Sequence, residues 1–270
     1  MASQCRLGMT MGGPVRLLAF YRSSLGKKIV AAVTGAIMFL FLIVHMLGNL
    51  NIYSGPAKID AYSLYLRTFL EGFFGFGGFI WVVRVVLGTC LILHVLSIAL
   101  LVRQNRKARP IRYRHKRRFA STFAAATMII TGPWILAYIV LHILQFTTGT
   151  IQPTPFKVTP EGIGSVYYNL WNAFQVWWIA ALYVISMAFI CLHLYHGLWS
   201  MCQSVGWNNP DRNTAVRIFA TVCSLGLFLG FASVPVLVWA DVVPPPPGEH
   251  MQELVDQPSS GEVMIVEGRD

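Results

Sequence analysis

Five stretches of the chain run almost without charge, at about 29–50, 79–102, 119–146, 173–203 and 218–240, with more polar or Pro/Gly-punctuated segments between them. Each exceeds the ~20 residues that a helix needs to cross the hydrocarbon core of a bilayer. The pattern therefore predicts an all-α integral membrane protein built on a bundle of five transmembrane helices. Residues 56–76 mix apolar and polar positions at helical spacing, which predicts a short helix lying at the membrane interface. Residues 150–171 read as a loop whose closing aromatics, Tyr167, Tyr168 and Trp171, form an interfacial belt. No internal repeat or second domain is visible. The organisation expected is an N-terminal arm over 1–26, the helical domain over 27–243 and a tail over 244–270.

Composition sharpens this reading. The 270 residues are 55% hydrophobic and 12% charged, with a mean hydropathy of +0.57, against a charged fraction of roughly 25% in soluble domains. Disordered, collagenous and disulfide-scaffold chains are excluded, as is a large catalytic domain. The five cysteines are an odd number, and Cys90, Cys202 and Cys223 read as small packing residues within apolar runs. Near the start no short apolar segment is followed by a small-residue cleavage signature, so the first span is expected to stay in the mature protein.

The net charge of +10 is informative through its distribution. Residues 103–118 hold nine Lys/Arg and no acid, and the N-terminal arm adds Arg6, Arg16, Arg22, Lys27 and Lys28. Such short basic segments mark the cytoplasmic side of a membrane helix rather than a nucleic-acid surface. The two regions flank an even number of spans and so share a side. The loops 51–78 and 147–172 are nearly balanced, with Lys58, Arg67 and Lys157 against Asp60, Glu71 and Glu161. A multi-pass protein of the inner (cytoplasmic) membrane follows, with its N-terminus cytoplasmic and its C-terminus extracytoplasmic. The tail from Asp241 carries seven of the eleven acids and the run Pro244–Pro247, and is too poor in apolar residues to fold.

Histidine carries the chemistry of the spans. His115 in the basic loop and His250 in the tail read as solvated; His45, His94, His142, His193 and His196 fall in apolar runs. Ionisable groups inside a bilayer are costly and mark function by default, although one histidine alone can serve simply to hydrogen-bond a neighbouring helix. Four spans each supplying one weigh against that bland reading. Depth then sorts them. His45 lies 17 residues past Lys28, about 26 Å along a helix rising about 1.5 Å per residue, and His142 lies 24 past Arg118, so both belong near the outer face. Spans two and four run inward, which puts His94, nine residues before Arg103, and His193, about eleven before Ser204, towards the cytoplasm.

Two imidazoles on facing helices at equal depth, repeated at two levels, is the arrangement that holds two stacked b haems. Zinc wants more protein ligands than either level offers. Haem ligated by imidazole on both faces has no vacant position, so the expected role is electron transfer. Haem propionates need polar partners: Lys28 and its neighbours on the inner side, and on the outer side Arg84, about six residues into the second span, which otherwise reads as a snorkelling arginine. Gly35, Gly88 and Gly132 are small enough to let a flat macrocycle approach a helix. His196 follows His193 by three residues on nearly the same face, and spacing leaves either as the ligand.

The segments Phe41-Leu42-Ile43-Val44-His45-Met46-Leu47-Gly48-Asn49-Leu50, Leu91-Ile92-Leu93-His94 and His193-Leu194-Tyr195-His196-Gly197-Leu198-Trp199-Ser200 resemble the cytochrome b558 membrane-anchor subunit of succinate dehydrogenase/fumarate reductase. Ser23-Ser24-Leu25-Gly26-Lys27-Lys28 and Thr34-Gly35 are similar to the start of that family's first helix. The resemblance covers roughly residues 20–240. It implies a diheme, five-helix anchor of respiratory complex II, with His193 as the fourth-helix ligand and His196 a neighbour in reach of a propionate. It pairs His94 with His193 at the inner haem and His45 with His142 at the outer one. It also implies a flavoprotein and an iron–sulfur subunit docked on the cytoplasmic face, and a quinone, menaquinone above all, reacting near the outer haem. Quinone chemistry needs a proton exchanger, and Glu71, on the outer interfacial segment, is the best placed carboxylate. Some members of the family carry a glutamate two residues before the fourth-helix ligand for proton passage; here that position is Cys191. Two rival classes stay open: a cytochrome b subunit of a hydrogenase or formate dehydrogenase, and a proton-coupled transporter whose histidines relay protons.

Overall fold

The first long helix begins where the backbone allows it to. Ser23 caps it by accepting from the Gly26 amide at 2.9 Å, and a Cβ at Gly26 would fall 2.0 Å from the Phe20 carbonyl oxygen, so this tight start requires glycine. The computed structural model describes residues 20–108, 123–159, 162, 164–207 and 209–248. The expectations for the first nineteen residues, most of the basic loop with His115, Glu161 and the tail with His250 fall outside them.

Helix α1 (Ser24–Asn49) continues into a 3-10 turn, Leu50–Ser54. The interfacial segment is α2 (Pro56–Thr68), ended where Leu70 takes a left-handed conformation at φ 57°, and a single turn α3 (Glu71–Phe74). There follow α4 (Gly78–Lys107), α5 (Phe123–His142) with a π-helical turn over Ile143–Thr147, α6 (Val166–Gln175), α7 (Trp177–Ser204) and α8 (Pro210–Trp239). Five of these elements, α1, α4, α5, α7 and α8, are long and apolar enough to cross a membrane. No strand occurs among the described residues.

Between 11% and 33% of the residues in each apolar window are buried inside the protein. Large apolar side chains such as Leu40, Val44, Ile92, Ile129 and Leu229 face outward instead. In water such surfaces drive aggregation; in lipid they are the solvated surface, and helices satisfy the backbone polar groups internally. The chain is a multi-pass membrane protein.

Contacts order the helices in a row, α4 against α1, α1 against α7 and α7 against α5, while α8 packs across α7 and α1. Small hydroxyl residues sit at these crossings: Ser97, Thr131, Ser186 and Ser224 are all essentially inaccessible. Trp134 donates from Nε1 to Ser186 Oγ at 3.0 Å, tying α5 to α7, and Tyr53 donates to Ser233 at 2.7 Å, tying the end of α1 to α8. Helix α8 starts eight residues before the apolar run, because Asn209 accepts from the Asp211 amide and Pro210 presets the first turn.

One end of the bundle is basic, carrying Lys27, Lys28, Arg103, Arg106, Lys107, Arg212 and Arg217; the other is capped by α2, α3, the π-helical turn and α6. The sequence pattern reads 150–171 as loop, but its second part is helical, and Tyr167 and Trp171 face inward rather than forming a belt. Tyr167 is 1% exposed and donates to the Pro244 carbonyl at 2.7 Å, and Trp171 donates to the Val243 carbonyl at 3.1 Å. Asp60 on α2 explains why α6 forms there. Its carboxylate accepts from Ser165 Oγ (2.9 Å) and from the amides of Val166 (2.7 Å) and Tyr167 (3.2 Å), covering the donors that a helix start leaves open.

Candidate functional site

The histidines of the spans meet in twos. At the capped end the rings of His45, from the last two turns of α1, and His142, the last residue of α5, have centroids 5.9 Å apart and planes at 83°. Towards the basic end His94 of α4 and His193 of α7 stand 6.4 Å apart at 55°. Neither pair belongs to helices that pack closely on each other, since α7 lies between α1 and α5 in the row, and α1 lies between α4 and α7. The rings meet although their helices are not close neighbours, and all four keep part of their surface accessible.

The Nδ1 atoms are held. His94 Nδ1 lies 3.0 Å from the Ala31 carbonyl and 3.4 Å from Thr34 Oγ1. A carbonyl only accepts, so the proton of His94 sits on Nδ1 and Nε2 keeps its lone pair. Thr34 donates its own proton to the Val30 carbonyl at 2.7 Å. His193 Nδ1 is 3.3 Å from Thr131 Oγ1. His142 Nδ1 is 3.5 Å from the Tyr183 hydroxyl, which donates to Gln145 Oε1 at 2.9 Å. His45 sits among aromatics, stacked on Phe41 at 5.2 Å and 16°, with Phe231 at 5.8 Å.

This donor set fits a metal gripped by two imidazoles. Metal–imidazole bonds of about 2 Å on opposite sides of one ion put the two ring centroids roughly 6 Å apart. Outer hydrogen bonds at Nδ1 that fix tautomer and ring orientation are the usual support of such ligands. No group of three or more His, Cys, Asp or Glu able to hold a metal ion occurs among the described residues. Gly35 and Gly132 lie against the inner imidazoles: a Cβ added to Gly35 would be 3.3 Å from His94 Cε1, and one added to Gly132 would be 3.9 Å from His193 Cε1. Gly88 faces open space.

The remaining residues singled out by sequence lie further out. Arg84 is exposed, its guanidinium 4.9 Å over the Trp81 ring, as a snorkelling arginine settles on an aromatic. Arg67, which donates to Ser63 Oγ at 2.7 Å, is pushed below its ordinary pKa by burial and by the charge of Arg84. Lys28 is exposed, whereas its neighbour Lys27 is 7% exposed and turned into the bundle, donating to Gln104 Oε1 at 3.2 Å. His196 is half-buried on α7, a turn nearer the basic end than His193. Glu71 is exposed in the short turn α3, and its carboxylate makes no hydrogen bond or ion pair among the described residues. Cys90, Cys191, Cys202 and Cys223 are free thiols.

Sequence reasoning passed over the groups that hold the rings. Gln145 was open to discovery, being a lone amide three residues past His142 in an apolar run. Tyr183 and Thr131 carry no local signal. Comparison with models of protein families, with curated proteins and with solved structures finds no match to this chain.

Proposed function

We propose that this chain is the membrane-anchor cytochrome b subunit of a succinate:quinone oxidoreductase, the diheme type of complex II anchor. The observation that carries the reading is the meeting of His45 with His142 and of His94 with His193 at two levels of a five-helix bundle. In this reading His45 and His142 hold an outer b haem and His94 and His193 an inner one. Bound haem would supply reversible one-electron transfer, passing electrons between an iron–sulfur subunit and a quinone.

The protein's own contribution is positional. Ala31, Thr34, Thr131 and Tyr183 fix the Nδ1 side of three imidazoles, and the apolar helices around them keep water out. Lys27 and Lys28 at the basic end, with His196, are within the region where inner propionates belong, and Arg84 is the outer counterpart. Positive charge in short loops supports a cytoplasmic basic end, where the flavoprotein and iron–sulfur subunits dock. Quinone, menaquinone by the family resemblance, reacts at the capped end, with Glu71 exchanging its protons at the surface.

Isolation of the native assembly with a reduced-minus-oxidised spectrum tests this. Two b-type haems per chain and co-purifying flavin with succinate or fumarate activity are expected. A transporter gives no haem band, and a hydrogenase or formate dehydrogenase subunit gives haem without the flavoprotein; either result overturns the proposal.

A further inference from the structure

The inner imidazoles lean on a backbone carbonyl and on threonine hydroxyls, whereas His142 faces a phenol that is itself tied to a buried amide. His94 leans on a backbone carbonyl, which no substitution removes. His142 leans on Tyr183, a residue of α7 that is 5% exposed and enclosed by the rings of Tyr138 (5.1 Å), Phe146 (5.7 Å) and Phe174 (5.0 Å). Its hydroxyl has one proton, and that proton goes to Gln145 Oε1 at 2.9 Å, an amide 3% exposed on the π-helical turn. An oxygen whose proton is committed can only accept from the other side. The group it faces there is His142 Nδ1, at 3.5 Å. The relay therefore runs one way, from imidazole N–H to phenol O–H to amide C=O, and leaves Nε2 of His142 unprotonated, its lone pair free to ligate. Buried polar chains of this kind polarise along their length, so Gln145 strengthens the acceptor that Tyr183 presents. Gln145 sits on the π-helical turn, and such widened turns place side chains that a regular helix would not.

We propose that Tyr183, oriented by Gln145, is a positioning residue that fixes the tautomer of His142 and sets its electron donation, and with it the redox potential of the outer haem independently of the inner one. This rests on the diheme reading above. An imidazole whose N–H is pulled towards an acceptor is a stronger donor to an oxidised metal, which lowers the potential of the centre. Removing the acceptor should raise it.

The test is a redox titration of both haems in the isolated membrane complex, comparing the unaltered protein with Tyr183→Phe and Gln145→Leu. The expected result is two haems per complex in each, a positive shift of the outer haem's potential in both variants, and an inner haem that does not move. Loss of the outer haem alone in both variants overturns it, since the two residues would then hold the site together rather than set its potential. Unchanged potentials in both variants, or a shift confined to the inner haem, overturn it. Loss of both haems in both variants overturns it too, by making these residues determinants of folding. Absence of haem from the unaltered complex instead removes the diheme reading, a separate failure visible before any variant is made.

Discussion

His94 and His142 do similar work with unlike support, a backbone carbonyl in one case and a phenol in the other. At the scale of single residues this makes the four imidazoles separable. His45→Ala or His142→Ala should remove one b haem and leave the other, and His94→Ala or His193→Ala should do the reverse, read from the amplitude of the difference spectrum per chain. If His196→Ala abolishes the inner haem and His193→Ala does not, the ligand assignment on α7 is wrong. The glycines give a finer probe. A Cβ at Gly35 would press on His94 Cε1 at 3.3 Å, on a ring that Ala31 and Thr34 prevent from retreating, whereas 3.9 Å between Gly132 and His193 is ordinary van der Waals contact. Gly35→Ala should therefore lower inner-haem occupancy and Gly132→Ala should leave it intact; equal behaviour of the two would contradict this account.

At the scale of elements, the capped end depends on contacts between segments distant in sequence. Asp60 of α2 adds to the Ser165 cap of α6 by accepting from the Val166 and Tyr167 amides, and Tyr167 and Trp171 of α6 fasten the chain just beyond α8. Asp60→Ala strands the amides of Val166 and Tyr167 and should destabilise the protein by about 2 kcal/mol. A thermal melt in detergent checks it, and an unchanged midpoint would show that the cap is dispensable. The same contacts explain why the segment 150–171 was only half legible. Among the described residues of 150–165 no helix forms, but nothing local distinguishes Tyr167 buried under α8 from Tyr167 lying in an interface. The break after Gln175, where Val176 turns extended before α7, has no Gly or Pro to announce it.

At the scale of the whole molecule, the charge difference between the two ends makes orientation a property that can be read in the cell. The asymmetry of Lys and Arg between the two ends predicts that a periplasmic-active reporter fused after the last residue is active and that one placed in the 103–118 loop is inactive. The opposite pattern would reverse the orientation that the charge predicts. Span number, the approximate place of each span, with α8 starting eight residues early, and the sorting of His45 with His142 and His94 with His193 by depth follow from the sequence alone. The reason is that a bilayer constrains a chain along one axis: helix rise converts residue number into height, and charge marks which end is which. Lateral placement is not encoded in that way. Which helices pack side by side, that Lys27 rather than Lys28 turns inward, and that Tyr183 and Gln145 close on His142 were decided by packing in the membrane plane. There, van der Waals fit and buried hydrogen bonds between helices choose the neighbours, and no period in the sequence reports them.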